Sequence, residues 1–154
     1  MDFGGRYRVA ASRQAVWHAL NNTEVLKACI PGAQRLDWTG DDSLELEIKV
    51  NLGLVKPVFK GDLQLTGVVP AERYTLNGKG KGGVLGLAQG AAEIVLTDDG
   101  DATELLFAAR GSASPRIMQF GTALIGDRAQ KIIDAFFERF GEAMGAEVTP
   151  LPRD

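Results

Sequence analysis

The chain has 154 residues, 45% of them hydrophobic and 24% charged, which suffices to bury one core without covalent staples. Its net charge of −3 supplies no basic stripe able to neutralise a run of phosphates, so DNA and RNA are excluded as main partners. Cys29 is the single cysteine, which excludes an internal disulfide or a cysteine-rich zinc site. Met1 to Arg8 lacks the charged start and apolar run of an export signal, and no window approaches the roughly eighteen apolar residues of a membrane span. A reducing, cytoplasmic setting is therefore expected.

Phe3 to Val9 reads as a strand. Ser12 can cap a helix with Ala15, Val16, Ala19 and Leu20 on its inner side. Thr23 can cap a second helix through Ala28, which Pro31-Gly32 ends because proline disfavours helix at the residue before it. From Gln34 to Ser114 the apolar period becomes two: Leu44, Leu46, Ile48 and Val50 alternate with Glu45, Glu47 and Lys49. The same alternation holds for Phe59, Gly61, Leu63 and Leu65, and for Tyr74, Leu76 and Gly78. Turn signals at Gly40-Asp41-Asp42, Asn51-Leu52-Gly53, Pro70-Ala71 and Asp98-Asp99-Gly100-Asp101 divide this stretch into an antiparallel meander, read as six strands. Glycines inside the strands, among them Gly61, Gly78, Gly80, Gly82 and Gly90, predict strong curvature.

A curved sheet needs something to wrap around, and the segment from Arg116 to Ala143 has helical period without proline. Met118, Ile125, Ala129, Ile132, Ile133, Phe136 and Phe140 fall on one stripe, opposite Asp127, Gln130, Lys131, Asp134 and Glu138. Ile117, Phe120 and Leu124 lie outside the stripe, which makes the first half of the helix apolar nearly all round. That second face is read as buried under the loop after Gly83, or as a cavity mouth, a partner surface or a membrane contact. The predicted fold is α+β: a curved antiparallel sheet of about seven strands, ordered β-α-α-β6-α, wrapped around a long C-terminal helix. One domain is expected over residues 1–146, followed by a short tail over 147–154.

The motifs that could carry chemistry are weak. Gly78-Lys79-Gly80-Lys81-Gly82-Gly83 satisfies GxGxxG, but a β-like run follows it and no parallel βαβ unit is visible, so a bent strand or hairpin is favoured over a dinucleotide site. Asp98, Asp99 and Asp101 lack the spacing and flanking helices of an EF-hand and read as a solvated turn. His18 reads as a helix-edge residue and Cys29, among apolar neighbours, as a small packed one. No metal site and no catalytic residue is assigned. The apolar interior remains: Leu46, Ile48, Phe59, Leu63, Leu65, Tyr74, Leu76, Leu105 and Phe107 on the strands face Ile125, Ala129, Ile132 and Phe136 on the helix, and they line either a filled core or a cavity. Tyr74 is the polar group of interest because a buried phenol seeks a hydrogen-bond partner, and Arg110 and Arg128 are the other polar candidates.

The element order resembles the helix-grip superfamily of START domains, polyketide cyclases and plant pollen-allergen proteins. In particular the chain resembles the G subunit of carbon monoxide dehydrogenase at Val16-Trp17, Cys29-Ile30-Pro31-Gly32, Phe59-Lys60-Gly61, Glu72-Arg73-Tyr74 with Gly78-Lys79-Gly80, and Ile133-Asp134-Ala135-Phe136-Phe137. The resemblance implies a non-catalytic accessory protein of a molybdenum-containing carbon monoxide dehydrogenase or related hydroxylase. It implies maturation or membrane recruitment of that enzyme, no covalent cofactor, and a cavity for a quinone or other lipophile. Many relatives carry a C-terminal anchoring segment, whereas this sequence closes on Pro150-Leu151-Pro152-Arg153-Asp154, so the expected membrane contact is peripheral. Ser114 to Gly121 also departs from the glycine-and-lysine start expected before the long helix. Two other readings stay open: a ligand-free assembly protein working through Ile117, Phe120 and Leu124, and a small cyclase-type enzyme.

Overall fold

The computed structural model describes residues 1–152; Arg153 and Asp154, the end of the expected tail, lie outside the described residues. Strand β1 (Asp2–Val9) leads into helices α1 (Arg13–Leu20) and α2 (Thr23–Cys29). The meander follows as β2 (Ala33–Trp38), β3 (Ser43–Lys49), β4 (Val58–Val69), β5 (Arg73–Lys81), β6 (Leu87–Asp99) and β7 (Ala102–Ala113). Helices α3 (Pro115–Met118) and α4 (Thr122–Met144) and strand β8 (Val148–Leu151) complete the chain. The strands form one sheet in the order β2-β3-β4-β5-β6-β7-β1-β8, every pair antiparallel. The α+β helix-grip architecture and its six meander strands are as expected.

Three local details differ from the sequence reading. The cap of α2 is Asn22, whose side-chain oxygen accepts from the amides of Glu24 (3.0 Å) and Val25 (3.3 Å), and Thr23 is already helical. Asparagine and threonine are both good caps, so their adjacency hides which one is used. The long helix is broken: α3 ends at Met118, and Gly121, with φ +97°, reorients the chain before α4. Glycine tolerates that left-handed backbone where a side chain would be strained. The expected tail contains β8, paired with β1 from Val9↔Val148 to Arg6↔Leu151. The turn into it is made by Gly145, which closes α4 in the left-handed conformation, after which the amide of Ala146 donates to Gly141 O (3.0 Å). Pro150 is tolerated because β8 is an edge strand.

Ser12 caps α1 as expected, accepting from the Ala15 amide at 3.2 Å. Arg13 then fastens α1 to the turns of the sheet, donating to Asp98 Oδ1 (2.8 Å) and to the Ala71 carbonyl (3.0 Å). Asp99 accepts from Arg8 at 3.0 Å, so the acidic turn is a set of surface ion pairs, His18 is exposed on α1, and Cys29 is buried. Burial raises the Cys29 thiol pKa, which disfavours the nucleophilic thiolate.

The core occupies one end of the sheet. Val9, Val16, Leu105 and Phe140 are wholly buried there, with Tyr7, Tyr74, Ile94, Leu96 and Phe137 around them. Phe137 stacks on Tyr7 at 4.0 Å between ring centroids and meets Phe107 edge-on at 5.9 Å, while Phe136 stacks on Phe140 at 5.6 Å. Thr103, wholly buried, donates its hydroxyl to the Ala11 carbonyl at 2.8 Å. The C-terminal half of α4 is thus packed against large side chains, and its N-terminal half is not.

Candidate functional site

The free space follows from which residues the strand alternation turns inward. Across β4 to β7, Leu63, Gly78, Gly90 and Gly111 are successive cross-strand partners, as are Gly61, Gly80, Ala88 and Ala113 in the adjacent row. The next row is Leu65, Leu76, Ala92 and Ala109, and only beyond it do Tyr74, Ile94 and Phe107 fill the interior. Rows of glycine and alanine leave the sheet's concave face without side chains, and the N-terminal half of α4 stands off from it. The result is a cavity of about 650 Å³.

The glycines also allow close approach. A Cβ on Gly61 would lie 2.2 Å from the Lys79 carbonyl oxygen, and one on Gly90 2.9 Å from that of Arg110. These positions permit the curvature, whereas Gly80 and Gly111 would meet only ordinary contacts from 3.5 Å outward.

Of the residues expected at a cavity, Leu46, Ile48, Phe59, Leu63 and Leu76 line it from the sheet, and Ile125, Ala129 and Ile132 from α4. The others belong to the core. Leu65 and Leu105 are buried there, Phe107 and Phe136 pack against it, and Tyr74 meets Trp17 edge-on at 5.4 Å. Burial raises the Tyr74 pKa, which keeps it a neutral phenol, and its place under α1 removes it from any ligand in the cavity. Periodicity identifies the inward face but not the distance along it, so residues of one face divide between core and cavity.

Ile117, Phe120 and Leu124, expected at a partner surface or cavity mouth, divide between two environments. Ile117 is 3% exposed and lines the cavity; Phe120 and Leu124 are half-buried. Sequence reasoning did not assign Met1, Phe3, Val50, Leu52, Ala92 or Ala109 to the cavity, which they also line. The signal was present in the strands, where small residues recur at every second position.

Among the described residues, three with charged side chains border the cavity, Lys79, Arg110 and Arg128, and the Met1 ammonium, which donates to the Gly111 carbonyl at 3.0 Å, adds a fourth charge. Lys79 and Arg110 sit at exposed positions, out of phase with the inward residues of β5 and β7, so their backbones line the wall and their side chains face outward. Arg128 lies on the same face of α4 as Ile125 and Ile132, and its Nε is buried without a hydrogen-bond partner.

A curved antiparallel sheet gripping a C-terminal helix around an apolar cavity defines the helix-grip fold. The chain belongs to the carbon monoxide dehydrogenase G-subunit (CoxG) family, whose model matches residues 5–145. Among solved structures it is similar to a conserved protein from Geobacillus kaustophilus, with 21% identity over 96% of this chain and 99% of that one, at a TM-score of 0.83. It is also similar to the Zhui aromatase/cyclase of Streptomyces sp. R1128, with 13% identity, 94% and 93% coverage and a TM-score of 0.69. A protein of Thermus thermophilus is similar at 11% identity, 94% and 97% coverage and a TM-score of 0.68. These likenesses show the fold. No curated protein matches the chain.

Proposed function

We propose that this protein is a non-catalytic accessory subunit of a molybdenum-containing carbon monoxide dehydrogenase or related hydroxylase that carries a lipophilic ligand, a quinone being the leading candidate. The observation that carries this reading is the cavity, whose volume suits a small lipophile. Family membership supplies the link to the dehydrogenase. The non-catalytic reading is supported by the placement of the polar candidates. Tyr74 lies in the core and Arg110 on the outer face, so Arg128 stands alone without a general base beside it.

A peripheral role at the cytoplasmic face of the membrane is supported by the loops at the cavity's end of the sheet. No helix among the described residues is long and apolar enough to cross a membrane. Leu54, in the loop between β3 and β4, is fully exposed, and Val84, in the short helical turn Gly83–Leu85, is 81% exposed. Lys56, Lys81 and Arg116 are exposed beside them, and Arg116 holds the second loop through the Val84 carbonyl at 2.8 Å. Two apolar tips framed by cations suit an anionic lipid surface. The double variant Leu54→Asp/Val84→Asp is expected to lose most of its sedimentation with anionic vesicles while keeping its thermal midpoint. Unchanged sedimentation would remove the membrane from this reading.

Titration of ligand-free protein with decylubiquinone by equilibrium dialysis tests the carrier reading itself. Saturable binding near one equivalent is expected. Failure to bind any quinone would remove quinone as the ligand, and failure to bind any lipophile would favour a ligand-free assembly role.

A further inference from the structure

We infer that Arg128 is the polar anchor of the cavity and that the ligand it selects is an amphiphile whose buried end carries an anionic oxygen, a carboxylate or a phenolate. This rests on the carrier reading and deepens it by favouring an acidic lipophile over a neutral quinone as the ligand. The chain as a whole is acidic, with a net charge of −3, yet none of the residues lining the cavity is an aspartate or glutamate. Arg128 projects from the cavity face of α4, one turn from both Ile125 and Ile132, and its Nε is buried without a partner.

A buried donor left without an acceptor is costly, and more so when it is charged. A neutral acceptor, such as a carbonyl or hydroxyl, satisfies the N–H but leaves the charge unbalanced. An anionic oxygen does both, and a carboxylate can bridge two guanidinium N–H groups at once. The apolar walls then hold the chain or ring of the ligand while Arg128 sets its direction, polar end toward α4. Apolar burial alone would accept any lipophile of suitable volume; the guanidinium adds a preference among them.

The test compares oleate with oleyl alcohol, which share a chain and differ in the charge of the head, together with decylubiquinone as a neutral carbonyl probe. The proteins are the wild type, Arg128→Met, which keeps the bulk and removes the charge, and Arg128→Lys, which keeps the charge and loses the planar fork. Oleate is expected to bind the wild type more tightly than the alcohol. Its Kd is expected to rise about tenfold or more in Arg128→Met and by an intermediate amount in Arg128→Lys. The Kd of the alcohol is expected to change little. Removing a buried N–H that has no acceptor should also leave the thermal midpoint of ligand-free Arg128→Met equal to or above that of the wild type, which verifies its fold. Equal losses for oleate and alcohol, or no loss for oleate, would overturn the anchor. If the neutral probes bind the wild type and oleate is not preferred, the anchor falls and the carrier reading stands. If none of the three binds, both fall.

Discussion

Replacing Gly80 with leucine is expected to block ligand uptake without unfolding the protein. Gly80 lies on β5 at an inward position, between Gly61 and Ala88 in the row of small residues that forms the cavity wall. A Cβ there would meet nothing closer than the Lys60 carbonyl at 3.7 Å and Phe59 Cβ at 3.8 Å, so the backbone can stay in place. The isobutyl group would enter the cavity proposed to hold the ligand. Filling apolar space buries surface, and a strand interior disfavours glycine, so the urea midpoint should be unchanged or higher. Decylubiquinone affinity should fall by about tenfold or more, because overpacking an occupied site forces side chains or ligand aside. Gly61→Leu is the instructive contrast: its Cβ would lie 2.2 Å from the Lys79 carbonyl, and the sheet itself would have to yield. Retention of full affinity by a folded Gly80→Leu would mean that the ligand sits elsewhere.

Phe140→Ala is expected to produce the largest loss of stability. Phe140 is wholly buried on the C-terminal half of α4, where its ring stacks on Phe136. Truncation should cost about 3–5 kcal/mol, the range for removing a buried aromatic ring from a close-packed site, read as a drop in ΔG from urea unfolding at unchanged m. A loss below about 1 kcal/mol would show that this end of the sheet is less tightly packed than its burial indicates.

The contrast between these two variants reflects how the chain is built. Large inward residues (Tyr74, Ile94, Phe107, Tyr7) share one core cluster with Phe137 and Phe140 at one end, and glycine or alanine faces Ile125, Ala129 and Ile132 across the cavity at the other. One end supplies stability and the other supplies space. Deleting bulk should therefore matter at Phe140, and adding it should matter at Gly80.

The fold was largely legible in the sequence because its periods are clean. Leu44 to Val50 alternates strictly with charge, and the α4 stripe repeats at helical spacing from Ile125 to Phe140, about four turns. The break at Gly121 was hidden because Ile117, Phe120 and Leu124 keep the apolar character of the helix running through it. Strand β8 was hidden because four residues containing Pro150 carry almost no strand signal, and their pairing depends on an exposed edge of β1 that only the assembled sheet provides. In the site, periodicity identified the inward face correctly but could not say which inward residues would meet a partner. Tyr74 and Phe136 were therefore grouped with Ile125 and Ile132, although the first pair packs and the second lines space. Arg110 and Arg128 were equivalent as isolated arginines. The strand register turns one outward, and the helix face turns the other inward.

The central claim is that the cavity is built to be occupied. It is tested most directly by expressing the protein in its native host, extracting it with organic solvent, and identifying the extract by mass spectrometry beside Gly80→Leu prepared identically. The account predicts a lipophile near one equivalent from the wild type and little or none from the variant. Equal amounts from both proteins, or an empty wild-type extract together with no uptake on titration, would contradict it.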